Sequence, residues 1–327
     1  MKKCCFIIPY FGKFNNYFPL FLKSCAWNKD FNWLVVTDDD TSYDYPENFE
    51  VIKMSFQNLK DLIQSKFDFP ISLEKPYKLC DYKPAYGYIF EEYLSDYKFW
   101  GHCDTDTLMG NLPKFFTDNE FDKYEKIGCL GHMVLYRNTF ENNRVFMRVY
   151  KGISLFKNAF TTNAIKTFDE EYLHDNNINR IFLAENRPVL VKDFSFNFHM
   201  DYYRFVRVKY VGKYTNASPH GYIAEKYRDA IYVWDKGHIK RYLKKEGRLE
   251  VEERAYIHLQ KRLMKFSPKL LDFDVVKIIP NMFTNLETDG VTYANFNQIK
   301  KWDSQVMVIK YWLVRILSKI KKCIWKR

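Results

Sequence analysis

Residues 102–108 read HCDTDTL, and the carboxylates of Asp104 and Asp106 stand one residue apart just after an apolar run, Phe99–Cys103. Residues two apart on an extended or turning backbone project to one side. Two carboxylates held that way repel unless a cation lies between them, and hard divalent ions take oxygen ligands. Three chemistries fit the spacing: an Asp turn without a ligand, a metal site that leaves coordination positions open for phosphate oxygens, and a metal nuclease. A calcium loop of the EF-hand kind is excluded, because the glycine falls at the wrong offset and the twelfth position is Phe115 rather than Glu. A nuclease centre calls for more clustered acids than the chain offers.

A third ligand is available later in the chain. In YIHLQKRLMKF, His258, Lys261 and Arg262 stand at i, i+3 and i+4. On a helix that spacing puts one imidazole and two cations on the same face. The imidazole then completes a manganese shell, and Lys261 and Arg262 neutralise a diphosphate. A surface helix in a basic segment explains the same three residues without a ligand. His102, directly before the acids, reads as a core histidine bonded to backbone, with support of the aspartates as the alternative.

The elements that position these residues alternate. Cys4–Tyr10 is a short apolar run of the kind a buried parallel strand shows, and Phe18–Lys23 opens a helix. WLVVTDDD (33–40) and FEVIKMSF (49–56) read as two more strands, and Asp81–Leu94 carries apolar residues at helical spacing before the strand Phe99–Cys103. KIGCLGHMVLYRN (126–138) reads as a further strand, 139–190 as mostly helical and 191–235 as short strands. Alternation of this kind predicts an α/β fold, a mainly parallel sheet flanked by helices. Ligands of such sheets collect beyond the carboxyl ends of the strands, where both Asp38–Asp40 and Asp104/Asp106 fall.

Bulk properties narrow the class. The chain has 327 residues, room for one large domain, with 47% hydrophobic and 28% charged residues, a soluble globular composition. Its seven cysteines contain no CxxC and leave one over in any pairing, which argues for reduced thiols in a cytoplasm. The N-terminal MKKCCFIIPY has the charges and apolar run of a signal peptide but Pro9 and no small-residue cleavage site, so it reads as a first strand. The net charge of +11 is concentrated in residues 300–327, which hold nine Lys/Arg against Asp303 and leave only +3 for the rest. A near-neutral body argues against nucleic acid as a partner. We therefore divide the chain into a domain, 1–299, and a basic tail, 300–327.

The N-terminal strand, the second strand ending in Asp, KLCDYKPAYGYIF before FWGHCDTDTLMG and the late HLQKR together resemble bacterial polysaccharide glycosyltransferases of the GT-A fold, of the capsule and O-antigen type, over residues 3–265. The resemblance implies that Asp106 binds a manganese or magnesium ion, that Asp104 reaches the metal or the donor ribose, and that His258 is the late metal ligand. It implies that Pro9, Tyr10 and Asp38 hold the base and ribose of a nucleotide sugar, a UDP-hexose, while Lys78 and Asp81 contact its sugar or phosphates. An inverting enzyme of this kind also needs a carboxylate base on the acceptor hydroxyl. TFDEEYLHD (167–175) offers Asp169 or Glu170 for that role, with an acidic helix start as the alternative reading.

The tail completes the expectation. In 306–327, Ile309, Trp312, Leu313, Ile316, Leu317, Ile320 and Ile324 form a helical stripe among seven cations and no acid. That pattern is a C-terminal amphipathic helix lying on an anionic membrane rather than spanning it, unless the stripe docks on the protein's own core. The sequence thus points to a metal-dependent hexosyltransferase that serves a glycan or lipid-linked acceptor, peripheral on the inner face of the cell membrane. The alternative is a non-catalytic basic membrane- or nucleic-acid-binding protein whose Asp pair is only a turn.

Overall fold

The computed structural model describes residues 2–171, 175–199, 204–212, 221–226, 228–260, 262–300 and 313. Strands β1 (Lys2–Tyr10), β2 (Phe31–Thr37), β3 (Phe49–Lys53) and β4 (Tyr97–Cys103) are parallel neighbours in the order β3-β2-β1-β4. Their apolar runs are continuous because both faces are covered. Cys4, Phe6 and Ile8 of β1 enter one core cluster, while Cys5 and Ile7 enter another on the opposite face. The second cluster is closed by α2 (Phe56–Ser65), through Leu59 and Ile63, and by short helices that include Leu155–Phe160 and Ile178–Ala184. The first is closed partly by α1 (Phe18–Ala26). The N-terminal run is an interior strand of the sheet, between β2 and β4.

After β4 the chain makes a turn and forms a short strand, β5 (Thr107–Met109), which leaves for a second sheet. The first sheet continues with β6 (Lys126–Leu130), β7 (Met133–Arg137) and β8 (Val189–Leu190), in the order β4-β7-β6-β8. Residues 126–138 are therefore an antiparallel hairpin rather than one strand. Gly128 adopts φ 88°, and the chain reverses at Gly131-His132. The helix expected over 81–94 is broken into single turns, because Pro84 has no N–H to donate and its ring clashes with a helical backbone before it. Gly87 lies so close to Trp100 that a Cβ would fall 2.1 Å from the indole.

The expectation of a mainly parallel sheet holds for the first sheet only. The second, β11 (Tyr222–Ala224), β10 (Arg207–Tyr210), β9 (Ser195–Phe198), β15 (Tyr256–His258) and β5, has a single parallel pairing, β15 with β9. The third, β14 (Arg248–Arg254), β13 (His238–Lys245), β12 (Ala230–Asp235), β16 (Val275–Ile279) and β17 (Met282–Asn285), is wholly antiparallel. Its strands are joined by tight turns such as Lys236-Gly237, both with positive φ, which make hairpins where a helical crossover would make parallel strands.

The second and third sheets meet α1 around β5. Trp234 Nε1 donates to the Met109 carbonyl at 2.9 Å, and Met109 N donates to Ser24 Oγ at 3.0 Å. Asn28 grips Gly110 O and Leu112 N, each at 2.9 Å. The segment leaving the aspartate turn is thereby fixed to α1 and to the third sheet. The six described cysteines are free. No helix among the described residues is long and apolar enough to cross a membrane. The stripe expected over 306–327 lies outside the described residues, apart from an exposed Leu313.

Candidate metal and donor site

Asp104 and Asp106 occupy the turn between β4 and β5, and local bonds give that turn its shape. Asp104 N donates to His132 O at 3.0 Å, and Leu259 N donates to Asp106 O at 2.9 Å. Thr107 Oγ1 donates to Asp104 O at 2.7 Å, while Asn15 Nδ2 reaches Thr105 O at 3.2 Å.

The third ligand arrives by strand register. β15 pairs antiparallel with β5, His258 opposite Thr107. This places His258 Nε2 at 3.4 Å from Asp106 Oδ1 and 4.0 Å from Asp104 Oδ2. One ligand atom from each of Asp104, Asp106 and His258 lies within 4.8 Å of the others. The helix expected at 258–262 is absent: His258 ends a strand, and Gln260 follows in the left-handed region at φ 52°. His258 therefore shares no helical face with Lys261 and Arg262, yet its imidazole meets the acids.

His258 is oriented from behind. Its Nδ1 lies 3.2 Å from Asn197 Oδ1, which also accepts from Gln260 Nε2 at 2.7 Å. An amide oxygen only accepts, so Nδ1 carries a proton and Nε2 is the nitrogen that faces the aspartates, protonated toward them or free to ligate a cation. Burial alone would lower the His258 pKa, but Asp106 and then Asp104 outweigh it and raise the value. The His132 ring lies 4.4 Å from that of His258, and its Nδ1 shares a 2.7 Å hydrogen bond with the Tyr256 hydroxyl.

Beside the triad sits a residue whose role the sequence did not disclose. Lys83 Nζ donates to Asp104 Oδ1 at 2.8 Å and to Gly131 O at 2.7 Å, and it lies 3.4 Å from Asp169 Oδ2. Burial works against its charge, but Asp104 and Asp169 hold its pKa well above the ordinary value. Lys83 belongs to the KLCDYKP stretch, where spacing alone gives no reason to prefer it to Lys78. Lying five residues apart on helical turns, the two lysines point in different directions, and Lys83 is the one that reaches the acids.

Asp169 and Glu170 reach the same place from the other side, next to Gly131. A Cβ on Gly131 would fall 2.8 Å from Asp169 Oδ2 and 3.0 Å from Glu170 Oε2, so only glycine leaves room for both acids. Burial pushes the Asp169 pKa up to about 7 against the pull of Lys83, and burial also raises Glu170. They do not open a helix: Thr167, just before them, has φ 51°. Left-handed backbone at Thr167 and Gln260 brackets the site from both sides, the kind of strain that surrounding structure must hold in place.

These groups line one cleft of about 810 Å³. Pro9 and Tyr10 form part of its wall, the Tyr10 ring stacked on Phe14 at 4.3 Å. Other expected donor contacts fall elsewhere. Asp38 is exposed and accepts from Gly12 N at 2.7 Å, bracing the loop after β1 outside the cleft lining. Its neighbour Asp39 is buried and accepts from Phe14 N at 3.0 Å and from Thr41.

Lys78 and Asp81 are buried against each other at 2.6 Å, away from the lining. Asp81 accepts from Lys166 N and Phe168 N, and Lys78 donates to Ala164 O. The pair is thus bonded to the 164–168 segment that precedes Asp169 and lies outside the cleft lining, where donor contacts were expected. Arg262 lines the cleft, but its guanidinium donates to Leu259 O and His199 O. Lys261 lies outside the described residues. His102 is buried as a core histidine, but neither ring nitrogen has the expected backbone partner among the described residues.

The site thus combines two acids and an oriented imidazole, a bridging lysine, and a second acidic pair across one cleft. The model of a family of unknown function, DUF6625, matches residues 6–287, and the chain belongs to that family. No curated protein matches it. Among solved structures, the galactosyltransferase LgtC in complex with donor and acceptor sugar analogues is similar at 11% identity, over 61% of this chain and 77% of that one, with a TM-score of 0.33. An active-site mutant of LgtC is similar at 11% identity over 61% and 76% of the two chains, with the same TM-score of 0.33. A likeness that distant carries no argument about activity.

Proposed function

We propose that the protein is a metal-dependent glycosyltransferase that moves a hexose from a nucleotide sugar, UDP-linked, to a hydroxyl of a lipid-linked or growing surface glycan. The observation that carries this reading is the Asp104–Asp106–His258 cluster on the wall of a cleft large enough for a nucleotide sugar. Two carboxylate oxygens and a neutral imidazole nitrogen suit manganese or magnesium. When bound, such an ion supplies positive charge to a diphosphate leaving group.

The chain's own residues do the remaining work. Asp104, Asp106 and His258 hold the ion, and Asn197 fixes the His258 tautomer. Lys83 keeps Asp104 and Asp169 in place and brings a cation beside the leaving group. In the reaction the acceptor oxygen bonds the anomeric carbon as the bond from that carbon to the diphosphate oxygen breaks. The hydroxyl proton passes to Asp169 or Glu170, and the electron pair stays with the diphosphate. An Asp169 pKa of about 7 suits proton acceptance near neutral pH. Pro9 and Tyr10 lie where the nucleotide base and ribose are proposed to rest.

The basic tail, 306–327, is proposed to keep the enzyme on an anionic membrane face, where a lipid-linked acceptor resides. Calorimetry with UDP and manganese on the wild type and on Asp106→Asn tests the reading. Binding that requires both the ion and Asp106 supports it, and binding indifferent to either refutes it.

A further inference from the structure

A second recess, of about 370 Å³, shares no lining residue with the cleft. It lies between the 191–193 segment, β10 and the end of β14, and its wall includes Lys192, Arg207, Lys209 and Arg254. The only acid among the described lining residues is Asp193, and both its oxygens are engaged with the chain itself. Oδ1 accepts from Ser195 N at 2.9 Å and Ser195 Oγ at 2.7 Å, and Oδ2 from Tyr210 N at 3.1 Å.

Nearby carboxylates do not balance the cations. Glu225 and Glu252 are shared among Arg207, Lys209 and Arg241, two acids for three bases. Arg254 donates to the Glu253 carbonyl at 2.8 Å, and neither it nor Lys192 makes a close ion pair among the described residues, Lys192 acting only at longer range on Glu120. Arg207 is only 2% exposed, and its Nε and that of Arg254, like those of several other buried arginines, have no hydrogen-bond partner among the described residues. Both guanidinium groups lie over the Phe196 ring, 4.9 Å and 5.7 Å from its centroid. Burial, and then the charge of Arg254, hold the Arg207 pKa below its ordinary value.

Arg207 is already joined to Glu252 and Glu225, so the cations left for an external anion are Arg254, half-buried beside it, and Lys192 at the rim. Guanidinium groups match the oxygens of phosphate two at a time, and several cations together favour a multiply charged ligand. We propose that this recess, built by Arg207 and Arg254 with Lys192 at its rim, is a binding site for a soluble diphosphate or phosphate monoester, separate from the cleft and independent of a metal ion. The inference stands whether or not the protein transfers sugars.

The test is calorimetry of the full chain with inorganic pyrophosphate, with a chelator present so that the metal site takes no part. One saturable site is expected in the wild type and in Asp106→Asn. Arg254→Gln is expected to weaken it by about tenfold or more, the loss of one charge-assisted contact. The exposed Lys192→Gln, which leaves the buried wall intact, is expected to weaken it severalfold and decides the matter if Arg254→Gln does not fold. Absence of binding, unchanged affinity in the folded variants, or loss of binding in Asp106→Asn would overturn the proposal.

Discussion

His258 Nε2 stands 3.4 Å from Asp106 Oδ1 because β15 lies beside β5, with His258 opposite Thr107. The contact is a product of sheet pairing between distant parts of the chain. It is held from behind by Asn197, which accepts from His258 Nδ1 and from Gln260.

Asn197→Ala removes that acceptor and frees the imidazole to change tautomer and rotate. Manganese affinity is expected to fall about 10–100-fold, with the melting temperature little changed. Titration of the ion followed calorimetrically or by paramagnetic resonance measures it. Wild-type affinity in Asn197→Ala would remove the orienting role.

Lys83→Met leaves Asp104 and Asp169 without the cation they share. Removing one partner from a buried charge cluster destabilises by about 3–5 kcal/mol, and that is the loss expected in urea denaturation of the metal-free protein. Added manganese should restore part of it, since the ion binds only the native state. A loss under about 1 kcal/mol, within the range of exposed ion pairs, would show that Lys83 does not balance the cluster.

What was legible in the sequence were the features local to one element. The apolar runs of β1, β2 and β4 are continuous because the sheet is covered on both faces, and the acids after β4 are visible at once. What stayed hidden depends on contacts between elements. Nothing in YIHLQKR distinguishes a helical face from a strand that ends at His258, since both bring an imidazole to one side. Lys78 and Lys83 look alike along the chain, and only the packing around them shows that Lys83 reaches the acids while Lys78 is buried on Asp81. Gly131 reads as one more turn glycine until Asp169 and Glu170 arrive against it from a distant segment. The antiparallel third sheet was missed because β13 and β14 are crowded with charged residues and its strands are joined by hairpin turns that composition alone does not order.

Lys126 gives a pH signature away from the cleft. It is wholly buried, with Nζ donating to Gly128 O and Asn179 Oδ1 at 2.5 Å each, and burial lowers its pKa from 10.5 to about 8. Between those values the unfolded chain binds more protons than the native one, so this lysine's contribution to stability rises with pH. The cost of the buried charge is fully present below about 8. Relative to Lys126→Met, wild-type stability should increase by about 3 kcal/mol between about pH 7 and pH 11. Parallel stability curves for the two proteins over that range would contradict it.

Deleting 306–327 is expected to release the protein from anionic vesicles while leaving its melting temperature unchanged. Each cation near such a surface contributes about 1 kcal/mol before screening, and added salt should weaken binding. Cosedimentation beside thermal melts separates this from the stripe docking on the protein's own core. A lower melting temperature with unchanged vesicle binding would favour docking.

The most direct test of the central claim is calorimetric titration of UDP into the protein with and without manganese, for the wild type and for Asp106→Asn. Measurable UDP affinity is predicted only for the wild type with the ion present, with Asp106→Asn folded and melting normally. UDP binding of equal strength without the ion, or unchanged in Asp106→Asn, would contradict a metal–diphosphate site at Asp104, Asp106 and His258.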